Sequence, residues 1–342
     1  MINIGVIGCG YWGPNLIRNF QEISGCCVRM VCDLRDERRN FVHQRYPNIV
    51  TVEDYRELIE SPEIDAIVIA TPVSTHFQLA MGALQAGKHV LVEKPLASSS
   101  EEVHRLIDEA ERRRLVLMVD HTFVYTGAVR KMKSLLDGGV LGDVYYYDAV
   151  RVNLGLFQHD VNVLWDLAVH DLSILDYVLN LAPCGVSVTG ISHVPGGMEN
   201  IAYLTLFFPE HVIAHVHVNW LAPTKIRRTL LGGSQKMIVY DELEPSEKVK
   251  VYDKGIQFYP PGEAVNKMRF DYRTGDMWAP QVDTTEALST EAKHFIRCLE
   301  GNERPITDGV AGLRVVRILE AATQSMAQQG QVVELELAGI IA

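Results

Sequence analysis

Apolar and polar positions along the first 120 residues switch repeatedly between two periods. Residues 2–7 (INIGVI) form a short apolar run that stops at glycine, and behind it Leu16, Ile17, Phe20 and Ile23 recur at three- and four-residue spacing. The run predicts a strand and the spacing predicts an amphipathic helix. Further apolar runs at 28–32, 64–70, 89–95 and 115–119 predict strands, and helical patterns at 53–60, 74–86 and 99–113 lie among them. Gly87 suits the C-cap of the middle helix. Continuous apolar strands separated by helices predict a parallel sheet covered on both faces, a doubly wound α/β architecture of Rossmann type.

After about residue 121 the texture changes. Segments 144–152, 185–193, 200–208, 212–221, 229–240 and 247–258 are strand-like, several with period-two alternation and short Gly, Pro or Asp turns. Helical patterns occupy 163–179, 287–300 and 309–329, residues 261–283 predict a long polar loop, and 331–337 (QVVELEL) predicts a last strand. The expectation is therefore a Rossmann domain over 1–120 and a C-terminal α+β domain over 121–342, with a large, mostly antiparallel open sheet. In that sheet Val212, Ala214, Val216 and Val218 line one face and are expected to need cover from another copy, giving a homodimer or homotetramer.

Composition narrows the class. The chain has 342 residues, 47% hydrophobic and 22% charged, which suits two globular domains. Its net charge of −11 argues against nucleic-acid binding, since phosphate contacts need clustered Lys and Arg. No apolar run reaches the length of a membrane span, and strand-like residues from Ile2 onward leave no signal-peptide pattern, so a cytoplasmic protein is expected. Cys9, Cys26, Cys27, Cys32, Cys184 and Cys298 show no metal spacing and read as buried reduced thiols. His215 and His217 alternate on one strand without a third ligand in view, so no metal site is expected.

The strongest local signal is Gly8-Cys9-Gly10-Tyr11-Trp12-Gly13. It follows a strand, opens a helix and lies 20 residues before Asp33, the context that a dinucleotide site requires. Gly8 allows the tight turn, Gly10 lets the backbone approach a pyrophosphate at the helix N-terminus, and Gly13 permits close helix–strand contact. Tyr11 and Trp12 ride in the same loop. Asp33 suits the adenosine ribose hydroxyls and disfavours a 2′-phosphate, so NAD is expected. Arg35, with Arg38 and Arg39 close by, keeps NADP open.

Two further groups stand out. Glu93-Lys94-Pro95 follows the fourth strand at the carboxyl edge, where open α/β sheets bind ligands; Lys94 there is a catalytic candidate or a surface lysine. Asp166 and His170, four apart on a predicted helix, would share a face, and a carboxylate beside an imidazole suits a proton acceptor. A first-turn acid and a satisfied half-buried histidine fit the same spacing, and spacing alone does not separate these readings.

Taken together, Gly8-x-Gly10-x-x-Gly13, Ala70-Thr71-Pro72 with His76, Glu93-Lys94-Pro95, Asp166-x-x-x-His170 and the tail Arg304-Pro305-Ile306-Thr307-Asp308-Gly309 resemble the glucose-fructose oxidoreductase / inositol dehydrogenase / rhizopine-catabolism (Gfo/Idh/MocA) family over essentially the whole chain. The resemblance implies hydride transfer between a nicotinamide and a secondary alcohol of a sugar, polyol or nucleotide sugar, with oxidation or reduction at the 3-position of a UDP-sugar foremost. It implies that Lys94 lies near the reacting hydroxyl, that His170 accepts or donates its proton, and that Asp166 partners the histidine or grips substrate. It places Thr71, Pro72, His76 and Glu93 along the cofactor crevice and implies a cis Lys94–Pro95 peptide. Many relatives carry Arg-Phe-x-Pro where this chain has Val124-Tyr125-Thr126-Gly127, so their arginine contact is missing and Tyr125 is left as a substrate candidate. Glycines common before the aspartate are replaced by Asn162-Val163-Leu164-Trp165.

The segment 151–165 offers Arg151, Asn153, Gln158, His159 and Asn162 to hydroxyls or an anion. Lys225, Arg227 and Arg228 fit either a diphosphate site or a solvated turn. Two other classes fit part of the pattern: a non-catalytic NAD-binding sensor, and a glycosidase that uses NAD for transient oxidation.

Overall fold

The structure is a computed structural model that describes residues 1–155, 161–259 and 269–336. The chain divides into two compact units, Met1–Thr126 with Thr285–Glu320, and Gly127–Thr284 with Ala321–Ala342.

In the first unit the order is β1 (Ile2–Ile7), α1 (Gly13–Gln21), β2 (Cys26–Cys32), α2 (Asp36–Arg45), β3 (Val50–Val52), α3 (Tyr55–Glu60), β4 (Ala66–Ile69), α4 (His76–Gln85), β5 (His89–Glu93), α5 (Ser100–Arg113) and β6 (Leu117–Asp120). The six strands form one parallel sheet in the order β3-β2-β1-β4-β5-β6. The direction of strand addition reverses between β1 and β4, the switch point outside which such sheets bind ligands. All four residues of β4 are buried, as an apolar run covered on both faces requires. On α1, Leu16, Ile17 and Phe20 face inward and a proline occupies the first turn. Ser99 caps α5 by accepting from the Glu102 amide.

The second unit holds α6 (Gly127–Asp137), β7 (Val144–Leu154), α7 (Val169–Leu179), β8 (Gly185–Ile191), β9 (Ile201–Phe207), β10 (Ile213–Asn219), β11 (Leu221–Gly233), β12 (Met237–Asp241), β13 (Val249–Tyr252), β14 (Gly255–Tyr259), β15 (Arg269–Arg273) and β16 (Met277–Trp278). Two helices follow in the chain, α8 (Ala287–Leu299) and α9 (Gly309–Ala327), and then β17 (Val333–Glu334). Nine strands form a mixed sheet, β16-β13-β12-β11-β7-β10-β9-β8-β17, in which only the described pair β7–β10 is parallel. Strands β14 and β15 pair separately.

Several boundaries differ from the sequence reading. The helix α2 and the strand β3 were not anticipated, because α2 is half charged and buries only Val42, and β3 has only three residues. The helix α6 was also unforeseen. The expected loop 261–283 contains β15 and β16, and the apolar stretches 229–240 and 247–258 each take in two strands. Val212, Ala214, Val216 and Val218 are buried within their own unit rather than awaiting a second copy. The opposite face carries Tyr203, stacked on His217 with ring centroids 4.5 Å apart, so these histidines are sheet-face residues. All six cysteines are free; Cys184 is exposed and Cys27 half-buried, not buried as expected.

Helix α8 lies late in the chain but belongs to the first unit. Leu288, Ala292, Phe295 and Ile296 form its buried face, and the Phe295 ring meets Phe20 edge to face at 6.1 Å. At its start Glu286 accepts two hydrogen bonds from Arg18 of α1, at 3.0 and 2.6 Å.

Candidate active site

The loop after β1 is built by three glycines with different reasons to be glycine. Gly8 has φ +96°, and a Cβ there would lie 2.5 Å from the Ala70 carbonyl oxygen. A Cβ on Gly13 would lie 2.3 Å from the Gly8 carbonyl oxygen, so the start of α1 sits directly against the end of β1. At Gly10 a Cβ would meet only Arg35 Nη2, at 3.9 Å. The fold's own packing therefore does not demand glycine at position 10, and the space left there is what close approach of a ligand to the backbone would use. Asp33 ties the loop down: Oδ2 accepts from the Cys9 amide at 2.8 Å and Oδ1 from the Arg35 amide at 2.9 Å. A carboxylate has about four acceptor positions, so capacity remains for ribose hydroxyls. Tyr11 is 80% exposed and Trp12 half that, their rings edge to face at 5.4 Å, beside the N-terminus of α1. Burial and the Asp33 carboxylate push the Cys9 thiol up to about 11, so the cysteine inside the loop is no nucleophile.

At the carboxyl ends of β4 and β5, His76 acts as a staple. Its Nδ1 meets the Pro95 carbonyl and its Nε2 the Thr71 carbonyl, both at 2.8 Å, and the residue is buried. Thr71 also accepts from Thr75 Oγ1 at 2.7 Å, fixing the turn through Pro72. The Lys94–Pro95 peptide is cis. Lys94 is half-buried beside Glu93, and Glu93 is buried against Asp120, its partner on β6. Burial first, then Asp120, holds the Glu93 carboxyl well above the usual carboxylate range, with Lys94 opposing. His121, next in chain, is pushed down to about 3 by burial and by Lys94. Sequence reasoning passed over Asp120 and His121; their place directly after an apolar run was the available signal.

Tyr125 does not fit its substrate assignment. It is 1% exposed, and its hydroxyl pairs with Thr307 Oγ1 at 3.0 Å, which in turn donates to the Val119 carbonyl at 2.7 Å. Tyr125 thus pins the tail motif to β6.

In the second unit the predicted helix 163–179 is two segments: a π-helical turn, Leu164–Ala168, and then α7. Such turns recur at functional sites, and Asp166 lies inside this one while His170 opens α7. The simple α-helical stacking of the two residues does not hold here. Asn162 Oδ1 accepts from the Leu164 and Trp165 amides, capping the turn. Asp166 Oδ2 accepts from Trp220 Nε1 at 3.0 Å, a partner not foreseen. Asn153 borders the same indole: a Cβ on Gly155 would lie 2.7 Å from Trp220 and 3.2 Å from Asn153 Nδ2. Gln158 and His159 lie outside the described residues.

Arg151 is a correction too. It is buried on β7, where Nε and Nη2 donate to the two Asp171 oxygens at 2.7 and 3.1 Å and Nη1 donates to Glu242 at 3.3 Å. Its charge is committed to holding α7 on the sheet. Arg227 likewise donates to Glu242 at 2.5 Å, while Lys225 and Arg228 are exposed. Among the described residues no group of three His, Cys, Asp or Glu side chains could hold a metal, and no helix is long and apolar enough to cross a membrane.

A parallel sheet with a glycine-rich turn at its switch point, followed in the chain by a unit with a broad open sheet, defines the class of two-part dinucleotide-dependent oxidoreductases. The chain belongs to the GFO/IDH/MocA family: residues 2–121 match its "Oxidoreductase family, NAD-binding Rossmann fold" model and residues 129–239 its C-terminal domain model. It is 28% identical over 321 residues to the UDP-N-acetylglucosamine 3-dehydrogenase of Acidithiobacillus ferrooxidans, covering 91% of this chain and 93% of that protein. A solved structure of UDP-N-acetylglucosamine 3-dehydrogenase GnnA from that organism matches with a TM-score of 0.79 and 25% identity, over 96% of this chain and 99% of the other. The WlbA dehydrogenase of Bordetella pertussis, solved with NADH and UDP-GlcNAcA, matches with a TM-score of 0.81 over 98% of each chain, and at 18% identity supports the fold alone.

Proposed function

We propose that the protein is an NAD-dependent dehydrogenase acting at the 3-hydroxyl of a nucleotide sugar, or on the corresponding 3-ketone. The observation that carries this reading is the likeness to UDP-N-acetylglucosamine 3-dehydrogenase, which extends over 91% of the chain and so over both units. Bound NAD supplies the hydride acceptor. The amides of Gly8 to Gly13 and the N-terminus of α1 hold its pyrophosphate, and Asp33 holds the adenosine ribose and selects against a 2′-phosphate. Arg35, 57% exposed in its side chain beside that carboxylate, is the residue through which NADP would be tolerated.

Lys94 holds the substrate oxygen and stabilises the negative charge that grows on it. His170 accepts the hydroxyl proton, a task for which imidazole is suited near neutral pH. Asp166, fixed by Trp220, grips a neighbouring hydroxyl together with Asn153. The exposed Lys225 and Arg228 meet the diphosphate.

The test separates binding from chemistry. Lys94→Met and His170→Ala should each lower hydride transfer from UDP-N-acetylglucosamine about 10²–10⁴-fold. Cofactor affinity, read by nicotinamide fluorescence, should change only a few-fold. Turnover of either variant at the wild-type rate would overturn the role assignment, and oxidation of myo-inositol but no sugar nucleotide would overturn the substrate class.

A further inference from the structure

Three carboxyl groups are buried together in the first unit. Glu93 ends β5, Asp120 ends β6, and the two are register partners. Glu291 comes from α8, which packs on the 3₁₀ turn Thr122–Tyr125 directly after Asp120. Exposures are 9%, 3% and 0%. Donors are scarce. Thr122 Oγ1 donates to Asp120 Oδ1. The Thr122 hydroxyl also lies beside Glu291, but its one proton goes to Asp120, and neither oxygen of Glu291 has a well-formed hydrogen bond among the described residues. Both ring nitrogens of the buried His121 are likewise without a hydrogen-bond partner there. Lys94 is the cation nearest in chain to the group; His121 directly follows β6, and Tyr125 on the turn and His294 on α8, with rings 5.6 Å apart, are the other titratable residues on the elements packed there.

One hydroxyl proton shared among three buried carboxyls leaves a fully buried carboxylate at Glu291 far too costly to persist, and the alternative open to it is to keep a proton and become a donor itself. Burial and the neighbouring Asp120 both drive Glu291 that way, as they do Glu93. Asp120 is then the shared acceptor between two acids.

We propose that Glu291 and Glu93 carry protons donated to Asp120, and that this buried chain positions Lys94 and keeps its positive charge from being cancelled by the acid beside it. The Lys94 half of the statement rests on the function proposed above; the proton-bearing half does not. Glu291 is a positioning residue: it acts on Lys94 through Asp120 and Glu93.

For an acid whose folded value is raised, the cost is absent in acid. Above pH about 4.5 the unfolded chain releases a proton that the fold retains, so stability falls as pH rises toward the folded value. Glu291→Gln keeps the shape and the donor but cannot lose a proton. In the full chain it should abolish an infrared carbonyl band of a protonated carboxylic acid and make the decline of Tm above about pH 5 shallower. With sugar nucleotide it should shift the pH profile of kcat by roughly one unit, a tenfold change on the flank, with KM for cofactor unchanged.

Should Glu291→Gln not fold, the wild-type band alone decides: it must persist well above the ordinary carboxyl range. No such band, or an unaltered band and Tm slope in Glu291→Gln, overturns the proton chain. The band and slope changing while the kcat profile stays put overturns the link to Lys94. If the wild-type protein shows the band but oxidises no sugar nucleotide, the function proposed above fails and the proton chain stands.

Discussion

A methyl group added at Gly10 would meet only Arg35 Nη2, whereas one added at Gly13 would strike the Gly8 carbonyl oxygen. The two positions are equivalent in a motif and unequal in physics. Gly10→Ala should therefore change unfolding free energy by less than about 1 kcal/mol in urea titrations while weakening NAD at least about tenfold. Gly13→Ala should destabilise the fold by about 1–3 kcal/mol, since a backbone carbonyl has nowhere to go. Equal stability loss in both variants would mean that Gly10 serves packing alone. The glycine loop and Asp33 were legible from sequence because turn, helix start and acid are fixed by local spacing. Tyr125 and Arg151 were misread because type and position in a chain do not disclose direction: both polar groups point inward, to Thr307 and to Asp171.

The helix carrying His170 shows the same limit on a larger scale. Its apolar pattern was visible, but α7 is buried almost all round, and a π turn ahead of it shifts Asp166 off the four-residue stacking that spacing implies. The orientation of α7 is set by Asp171, immediately after His170, gripped through both oxygens by Arg151. Removing one partner of such a buried pair strands the other charge, so Asp171→Ala should cost about 3–5 kcal/mol in urea unfolding. Pairing Arg151→Met with Asp171→Leu should recover most of that loss, because no lone charge remains buried and Glu242 keeps Arg227. A single variant costing under about 1 kcal/mol would show that the clamp is dispensable. Strands were the more legible elements; β3 and β16 escaped because two or three residues carry no period.

At the scale of the molecule, the nucleotide-binding unit is discontinuous: Met1–Thr126 is joined by Thr285–Glu320. Helix α8 supplies Leu288, Ala292, Phe295 and Ile296 to its core, each large side chain worth about 1.5–3 kcal/mol when buried. That sum approaches the whole stability of an ordinary domain, about 5–15 kcal/mol. A fragment of residues 1–126 should accordingly show no cooperative melting transition in calorimetry, and joining residues 285–320 to it by a short linker should restore one. Cooperative melting of the short fragment would refute this. The open sheet gave the sequence reading its second half, but the return of α8 was not visible, since an amphipathic period says that a helix needs a partner and not which one. The same discontinuity orders events on the ribosome. At about 5–20 residues per second, the groove beside Phe20 waits on the order of ten seconds or more for its covering helix. Throughout that interval the newborn chain leaves uncovered the apolar side chains that α8 will bury, and its first unit is complete only when synthesis is nearly finished.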